Sequence, residues 1–342
     1  MMAATVVYVS CAEPREILRF AMDRDSGALR RVDATYVPGI DLASNTSMPL
    51  AVSPDRRVLH AGLRQPPYPC VGFAIDPADG ALSVLGCANL PHSVCYLTID
   101  RTGKHLLAAS YQGALLASHA LDPRGVITAP PTQVVPTPPA AHSVIQDATG
   151  RFVYAASLGG DVVMRLRFDA ATGRLDDMQT APMPQGAGPR HLRLSPDGRF
   201  LYALCELDAT IGVFAVAPET GLLERRQILR THPEGFAAKA ADMHLTPDGS
   251  LLYASERSTS TLTACCIAPD GALTVIGQTA TETFPRGFAI DPRGRFLLAV
   301  GQESHHLSVY RIDQATGRLD AVARYATARN PNWIEIVDLP GG

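Results

Sequence analysis

The chain lacks any apolar run of the roughly 18 residues that a membrane-spanning helix needs, so no such helix is expected. It also lacks a charge of one sign: 30 Lys and Arg stand against 33 Asp and Glu, for a net charge of −3. With a pI near 6.4, neither nucleic acid nor an anionic membrane is an expected partner. The opening stretch MMAATVVYVSC has no basic residue and too short an apolar run for a secretion signal. Cysteine is sparse and unpatterned. The seven cysteines include no CxxC pair, and Cys265 and Cys266 are adjacent. That arrangement suits neither a disulfide framework nor a zinc site, so buried reduced thiols in a cytoplasmic protein are expected. No Ser-His-Asp or G-x-S-x-G nucleophile pattern occurs, and no glycine-rich phosphate cradle opens a helix.

What the sequence does contain is a repeat. Of its 342 residues, 46% are hydrophobic, enough for a substantial core. A turn of the form x-P-D-G-R starts at Ser53, Asp100, Asp147, Ser195, Thr246 and Asp291, at intervals of 45 to 51 residues. Pro, Asp and Gly supply the dihedrals of tight hairpin connections. A short apolar segment precedes each turn and another follows it: VLHAG, HLLAA, FVYAA, FLYAL, LLYAS and FLLAV. A third segment leads to a second turn, whose glycines are Gly27, Gly80, Gly125, Gly173, Gly221, Gly271 and Gly317, and a weaker fourth follows. The residues Val6 to Ser10 form a copy with no turn before it, and Asn332 to Ile336 a copy with no turn after it.

Seven units of four short strands, A to D, predict an all-β, seven-bladed propeller of antiparallel blades over residues 1–342, a single domain. The blade that closes the ring takes strand A from the C-terminus and strands B, C and D from the N-terminus. Closing the ring in this way removes the exposed sheet edge of an open array.

The short A–B and C–D turns are stereotyped, whereas the D–A and B–C connections on the opposite face differ from copy to copy. Function is expected on the variable face. Counting back five residues from each turn gives one position at the head of strand A: Met48, Cys95, His142, Arg190, Ala241, Arg286 and, by alignment, Asn332. The matching position after strand B holds Ala12, Arg64, Tyr111, Leu158, Glu206, Arg257 and Gln302. Lys239, His191, Asp242 and the pair His305-His306 lie nearby. Adjacent residues on a strand face opposite ways, so the two histidines are no metal pair, and one of them is expected to point into the blade. Several guanidinium groups around one hole repel each other unless an anion joins them. The pattern suits an anionic small molecule whose carbonyl is attacked by water. Arginines would hold the anion and the developing oxyanion, and His142 or Glu206 would serve as general base.

At these residues the chain resembles the bacterial propeller-type 6-phosphogluconolactonases, relatives of the fungal carboxymuconate-lactonising enzymes. The likeness spans essentially the whole chain. It is carried by Gly186-Ala187-Gly188-Pro189-Arg190-His191, by Pro285-Arg286-Gly287-Phe288, and by Gly301-Gln302 with Ser304 through Tyr310. Ala240-Ala241-Asp242, His142-Ser143 and Cys205-Glu206-Leu207 match as well. The resemblance implies a cofactor-free and metal-independent lactonase of the pentose phosphate pathway. His142, Glu206 and Arg190 would be catalytic. Arg64, Tyr111, His191, Arg257, Arg286, Gln302 and Lys239 would bind an anionic sugar lactone. A monomer or weak homodimer is expected.

Two departures stand out. The family's Arg-Trp pair before Ala240 is replaced by Phe236-Ala237-Ala238-Lys239, and the Ser110-Tyr111-Gln112-Gly113 loop is short. They leave a lactone of an unphosphorylated aldonic or aldaric acid as the alternative substrate. A cycloisomerase of an unsaturated diacid and a non-catalytic interaction scaffold are the rival functions. The cationic mouth favours an enzyme over a scaffold, which would more often expose an apolar patch.

Overall fold

The computed structural model describes residues 4–40, 46–233 and 235–340; the remaining parts of the expected 1–342 domain, including the first three residues of the opening stretch, lie outside the described residues. The repeat folds as expected. Among the described residues the strands form seven four-stranded antiparallel sheets, and each strand A packs beside the strands A of its neighbours around a central channel.

Ring closure follows the split repeat. Strand A of the first blade is Pro331–Asp338, paired antiparallel to strand B, Thr5–Cys11, with Val7 opposite Ile336. Strand B of this blade contributes Val7, Val9 and Cys11 to a core shared with Phe296, Leu298 and Val300 of the last blade. The two chain ends are thereby sealed by inter-blade burial as well as by hydrogen bonds.

The third residue of the strand B motif explains how blades join. The hydroxyls of Tyr8, Tyr154, Tyr202 and Tyr253 donate to the carbonyls of Gly80, Gly221, Gly271 and Gly317, at 2.6, 2.9, 3.2 and 2.9 Å. His60 Nε2 contacts Gly125 O at 2.9 Å in the same place. Each link runs from strand B of one blade to the C–D turn of the next. Gly80 shows why glycine is needed there: its φ is +77°, and an added Cβ would lie 2.9 Å from the Tyr8 hydroxyl. One repeated glycine thus makes the hairpin and admits the staple.

Outer strands D manage their edges with a second recurring device. Val32, Ile276 and Val322 each sit at a register shift where strand D carries an unopposed residue, which bends the exposed edge away from flat pairing.

Candidate active site

The head of strand A carries the feature that places the functional side chains. In five blades the A–B pairing slips there, so that strand A holds an extra residue. Ala141 opposes Ser157 and Ser143 opposes Ala156, leaving His142 unopposed. Pro189 and His191 likewise bracket Arg190, and Pro285 and Gly287 bracket Arg286. Pro331 and Trp333 bracket Asn332, and the fifth shift lies between Ala240 and Met243, around Ala241 and Asp242. A bulge bends its strand and re-aims the extra residue. This is how Arg190 and His191, adjacent in sequence, both come to contact groups in the channel.

Of the two rings of residues expected from the repeat, Arg190, Glu206 and Arg257 come together, with His142, Tyr111, Arg64 and Arg286 around them. Arg190 is 2% exposed, and its Nε stands 2.8 Å from Oε2 of Glu206. Its Nη1 also donates to the carbonyl of Ala241. The other Glu206 oxygen lies 3.0 Å from Nη2 of Arg257, whose Nε donates to Lys239 O at 2.7 Å. Burial raises the Glu206 pKa, but Arg190 and Arg257 outweigh it and hold the carboxyl below its ordinary value. Both oxygens are therefore committed to guanidinium groups. Burial brings Arg190 down to about 10, still a cation at neutral pH.

Arg286 and Arg64 complete the cationic wall differently. Arg64 donates to Ser93 Oγ at 3.2 Å and Ser47 Oγ at 3.1 Å. Among the described residues neither Arg64 nor Arg286 pairs with a carboxylate. Burial, then the charges of Arg190, Arg257 and Arg64, push the Arg286 pKa well below that of a free guanidinium. Such a cluster is costly when empty of anions and is relieved by one.

Two imidazoles lie against this wall. The rings of His142 and His191 are 5.4 Å apart, and Tyr111, 39% exposed, stands edge-on to His142 at 6.1 Å. Burial and the nearby arginines hold His142 well below the usual imidazole pKa and bring His191 down to about 3, so both are neutral. His142 Nδ1 and His191 Nε2 are buried and have no protein partner among the described residues.

Below them the channel is partitioned. Tyr96, His191 and Trp333 contact one another with ring centroids 5.3 to 6.1 Å apart. Beyond this septum, toward the A–B turns, lies a chamber of about 300 Å³ lined by Arg193, Asp242, His244 and Glu335 among aliphatic strand ends. Glu335 accepts from Trp333 Nε1 at 2.8 Å, and burial pushes its pKa up to about 7.

The remaining expected residues take peripheral places. Lys239 is exposed at the rim, its Nζ 5.8 Å from the Phe284 ring. Gln302 donates to Asn330 Oδ1 at 2.7 Å, while its Oε1 is buried without a protein partner among the described residues. His305 and His306 are both half-buried at the B–C connection of the last blade, neither fully inside it. Asp242, expected only as a nearby residue, has its Oδ1 2.7 Å from His191 Nδ1 and lines the chamber beyond the septum. The signal was available: Arg190-His191-Leu192-Arg193 and Asp242-Met243-His244 place polar residues two apart, on one face of an inner strand.

A family model described as "Lactonase, 7-bladed beta-propeller" matches residues 5–336. The chain belongs to this lactonase family. It is 38% identical to a 6-phosphogluconolactonase of Pectobacterium carotovorum over 339 residues, covering 98% of this chain and 99% of that one. It is 36% identical to a 6-phosphogluconolactonase of Serratia proteamaculans, covering 97% and 98%. Among solved structures, the Pseudomonas aeruginosa periplasmic gluconolactonase PpgL superposes with a TM-score of 0.88 at 26% identity, over 99% of this lactonase and all of PpgL. The resemblance seen in the sequence and the expected ring architecture therefore hold. This lactonase has no helix long and apolar enough to cross a membrane among its described residues.

Proposed function

We propose that this lactonase hydrolyses 6-phosphogluconolactone to 6-phosphogluconate at the cationic mouth. The observation that carries the substrate choice is the pair Arg64 and Arg286, two cations without a carboxylate partner among the described residues, beside a clamp in which Arg190 and Arg257 share the single carboxylate of Glu206. With Lys239 at the rim they can meet a phosphate, which bears close to two negative charges at neutral pH. The names of the relatives support the same choice.

In this reading Arg190 lies where it can stabilise the oxyanion that forms when water adds to the lactone carbonyl, and Glu206 holds Arg190 and Arg257 in place. The water's proton goes to an imidazole, since His142 and His191 are neutral and each keeps a nitrogen free of protein partners. Binding of the anionic substrate offsets the arginine charges and raises the imidazole pKa toward a useful value. Tyr111 and Gln302 would meet sugar hydroxyls. Seven free thiols support a reducing compartment, the cytoplasm, for this lactonase. Steady-state hydrolysis of 6-phosphogluconolactone by the purified protein tests the proposal; no turnover above the spontaneous rate at millimolar substrate would overturn it.

A further inference from the structure

Asp242 sits beneath the mouth, 6% exposed, and its surroundings define its charge and that of its neighbour. Its Oδ1 accepts from the backbone N–H of Met243 at 2.8 Å, and its Oδ2 from that of Phe288 at 3.2 Å. Burial raises its pKa, but the imidazoles of His244 and His191 outweigh that effect and keep the carboxyl well below its ordinary value. Asp242 is therefore an ionised acceptor. The 2.7 Å contact from His191 Nδ1 to its Oδ1 then requires a proton on Nδ1. Because His191 is neutral, its lone pair must lie on Nε2, and that nitrogen is buried with no protein partner among the described residues. A buried polar atom left unpaired costs about 1–3 kcal/mol, which points to a partner arriving from the site. His142 has no carboxylate in contact with it among the described residues.

Resting on the lactone-hydrolysis reading, we infer that His191 is the proton acceptor of the reaction and that Asp242 is its positioning residue. The water oxygen bonds to the carbonyl carbon while its proton passes to His191 Nε2. The tetrahedral oxyanion collapses, the carbonyl-carbon-to-ring-oxygen bond breaks, and the Nε2 proton goes to the departing alkoxide. Lactone and water thus become a hydroxy acid, and His191 returns to its starting form. Asp242 fixes the tautomer, the ring plane and the charge opposite the imidazolium. The other charged or titratable groups that act on the pair among the described residues are Arg190, Arg193, His142, His244, Tyr96 and Glu335.

Two measurements decide it. In ¹⁵N NMR of the intact protein at neutral pH, the resonance lost in His191→Gln should be a neutral imidazole protonated at Nδ1; an Nε2-protonated ring or an imidazolium would overturn the inference. In steady-state kinetics, His191→Gln should lower kcat by about 10²-fold or more with KM changed less than about threefold. Asp242→Asn should lower kcat by about tenfold or more and move the acid limb of its pH profile to lower pH, because the charge that favours the imidazolium is gone. A purely structural Asp242 would lower thermal stability and leave that limb in place. If His191→Gln keeps parental kcat on a lactone the parent opens, the inference fails and the lactonase reading stands. A parent that opens no lactone removes both, and this is seen before any variant is made.

Discussion

Glu206 faces Arg190 across 2.8 Å, and the same carboxylate reaches Arg257 at 3.0 Å, so a single anion bridges guanidinium groups from two neighbouring blades. Removing its charge leaves two buried cations facing each other. Glu206→Gln is expected to lower kcat/KM by about 10²-fold, through loss of Arg190 placement, and stability by on the order of 3 kcal/mol. Sulfate should restore part of the lost stability by standing in for the carboxylate, and denaturation with and without sulfate checks this. An unchanged kcat/KM would show that the clamp is not part of the chemistry.

The tyrosine staples predict a purely structural effect. Tyr202→Phe leaves the Gly271 carbonyl unpaired in a buried interface and should cost about 1–3 kcal/mol with kcat unchanged. Urea unfolding of this variant alongside Tyr253→Phe measures it. Equal stability to the parent would mean that inter-blade apolar packing alone sets the register.

Ring closure is tested by truncation after Arg329, which removes strand A of the first blade, Pro331–Asp338. The loss strips the pairing partner from Thr5–Cys11 and removes Asn332, whose Oδ1 accepts from Met48 N at 2.9 Å in the next blade. An exposed inner edge and apolar surface should drive aggregation and a lower Tm. A truncated chain that stays monodisperse with the parental Tm would contradict closure by this strand.

Glu335 gives a signed pH prediction. Its folded pKa of about 7 lies above the ordinary 4.5, so between these values the folded state holds a proton that the unfolded state has released. This term favours folding fully below about pH 4.5 and is lost as pH rises through 7, by on the order of 3 kcal/mol. Glu335→Gln should therefore raise Tm more at pH 8 than at pH 5. The depressed histidines act oppositely. His191, near 3, and His60, near 4, weaken the fold as pH falls below about 6.5. Calorimetry across pH 4.5–8 should show a steeper rise of stability with pH in the variant than in the parent, and parallel curves would refute the assignment.

The fold was legible because its periodicity is written in turn chemistry: a Gly at φ near +70° can hardly be replaced, so the C–D turns kept their marker in all seven copies. The mouth was legible for the same reason, since a fixed offset from a fixed turn names one position per blade. The bulges were not. An unopposed residue such as Arg190 leaves no mark in single-sequence alternation, and a count by offset cannot say that His191 also enters the channel. Nor could spacing show that Glu206, a candidate base from its position, is engaged at both oxygens, because that depends on Arg257 from the next blade. Asp242 was visible as a nearby acid, but its tie to His191 crosses from one inner strand to another.

The charge count at the mouth separates the phosphorylated from the unphosphorylated lactone. Arg190 and Arg257 share Glu206, whereas Arg64 and Arg286 have no carboxylate partner among the described residues, and Lys239 is exposed. A phosphorylated lactone brings nearly the charge needed to balance them, and an aldaric lactone brings one carboxylate. If phosphate is the recognised group, Arg286→Ala should raise KM by about 10- to 100-fold, the size of a charged hydrogen bond of about 1.5–3 kcal/mol. Lys239→Ala should raise it less, because an exposed cation is screened by water and salt. Sulfate and inorganic phosphate should compete with substrate at millimolar concentration, and KM should climb with ionic strength. An aldaric substrate would instead make Lys239→Ala silent and shift the loss to Gln302→Ala, whose buried Oε1 offers an acceptor for a sugar hydroxyl. Steady-state comparison of 6-phosphogluconolactone with glucarolactone and galactarolactone decides between them, and a hundredfold preference in kcat/KM for either unphosphorylated lactone would overturn the phosphate reading.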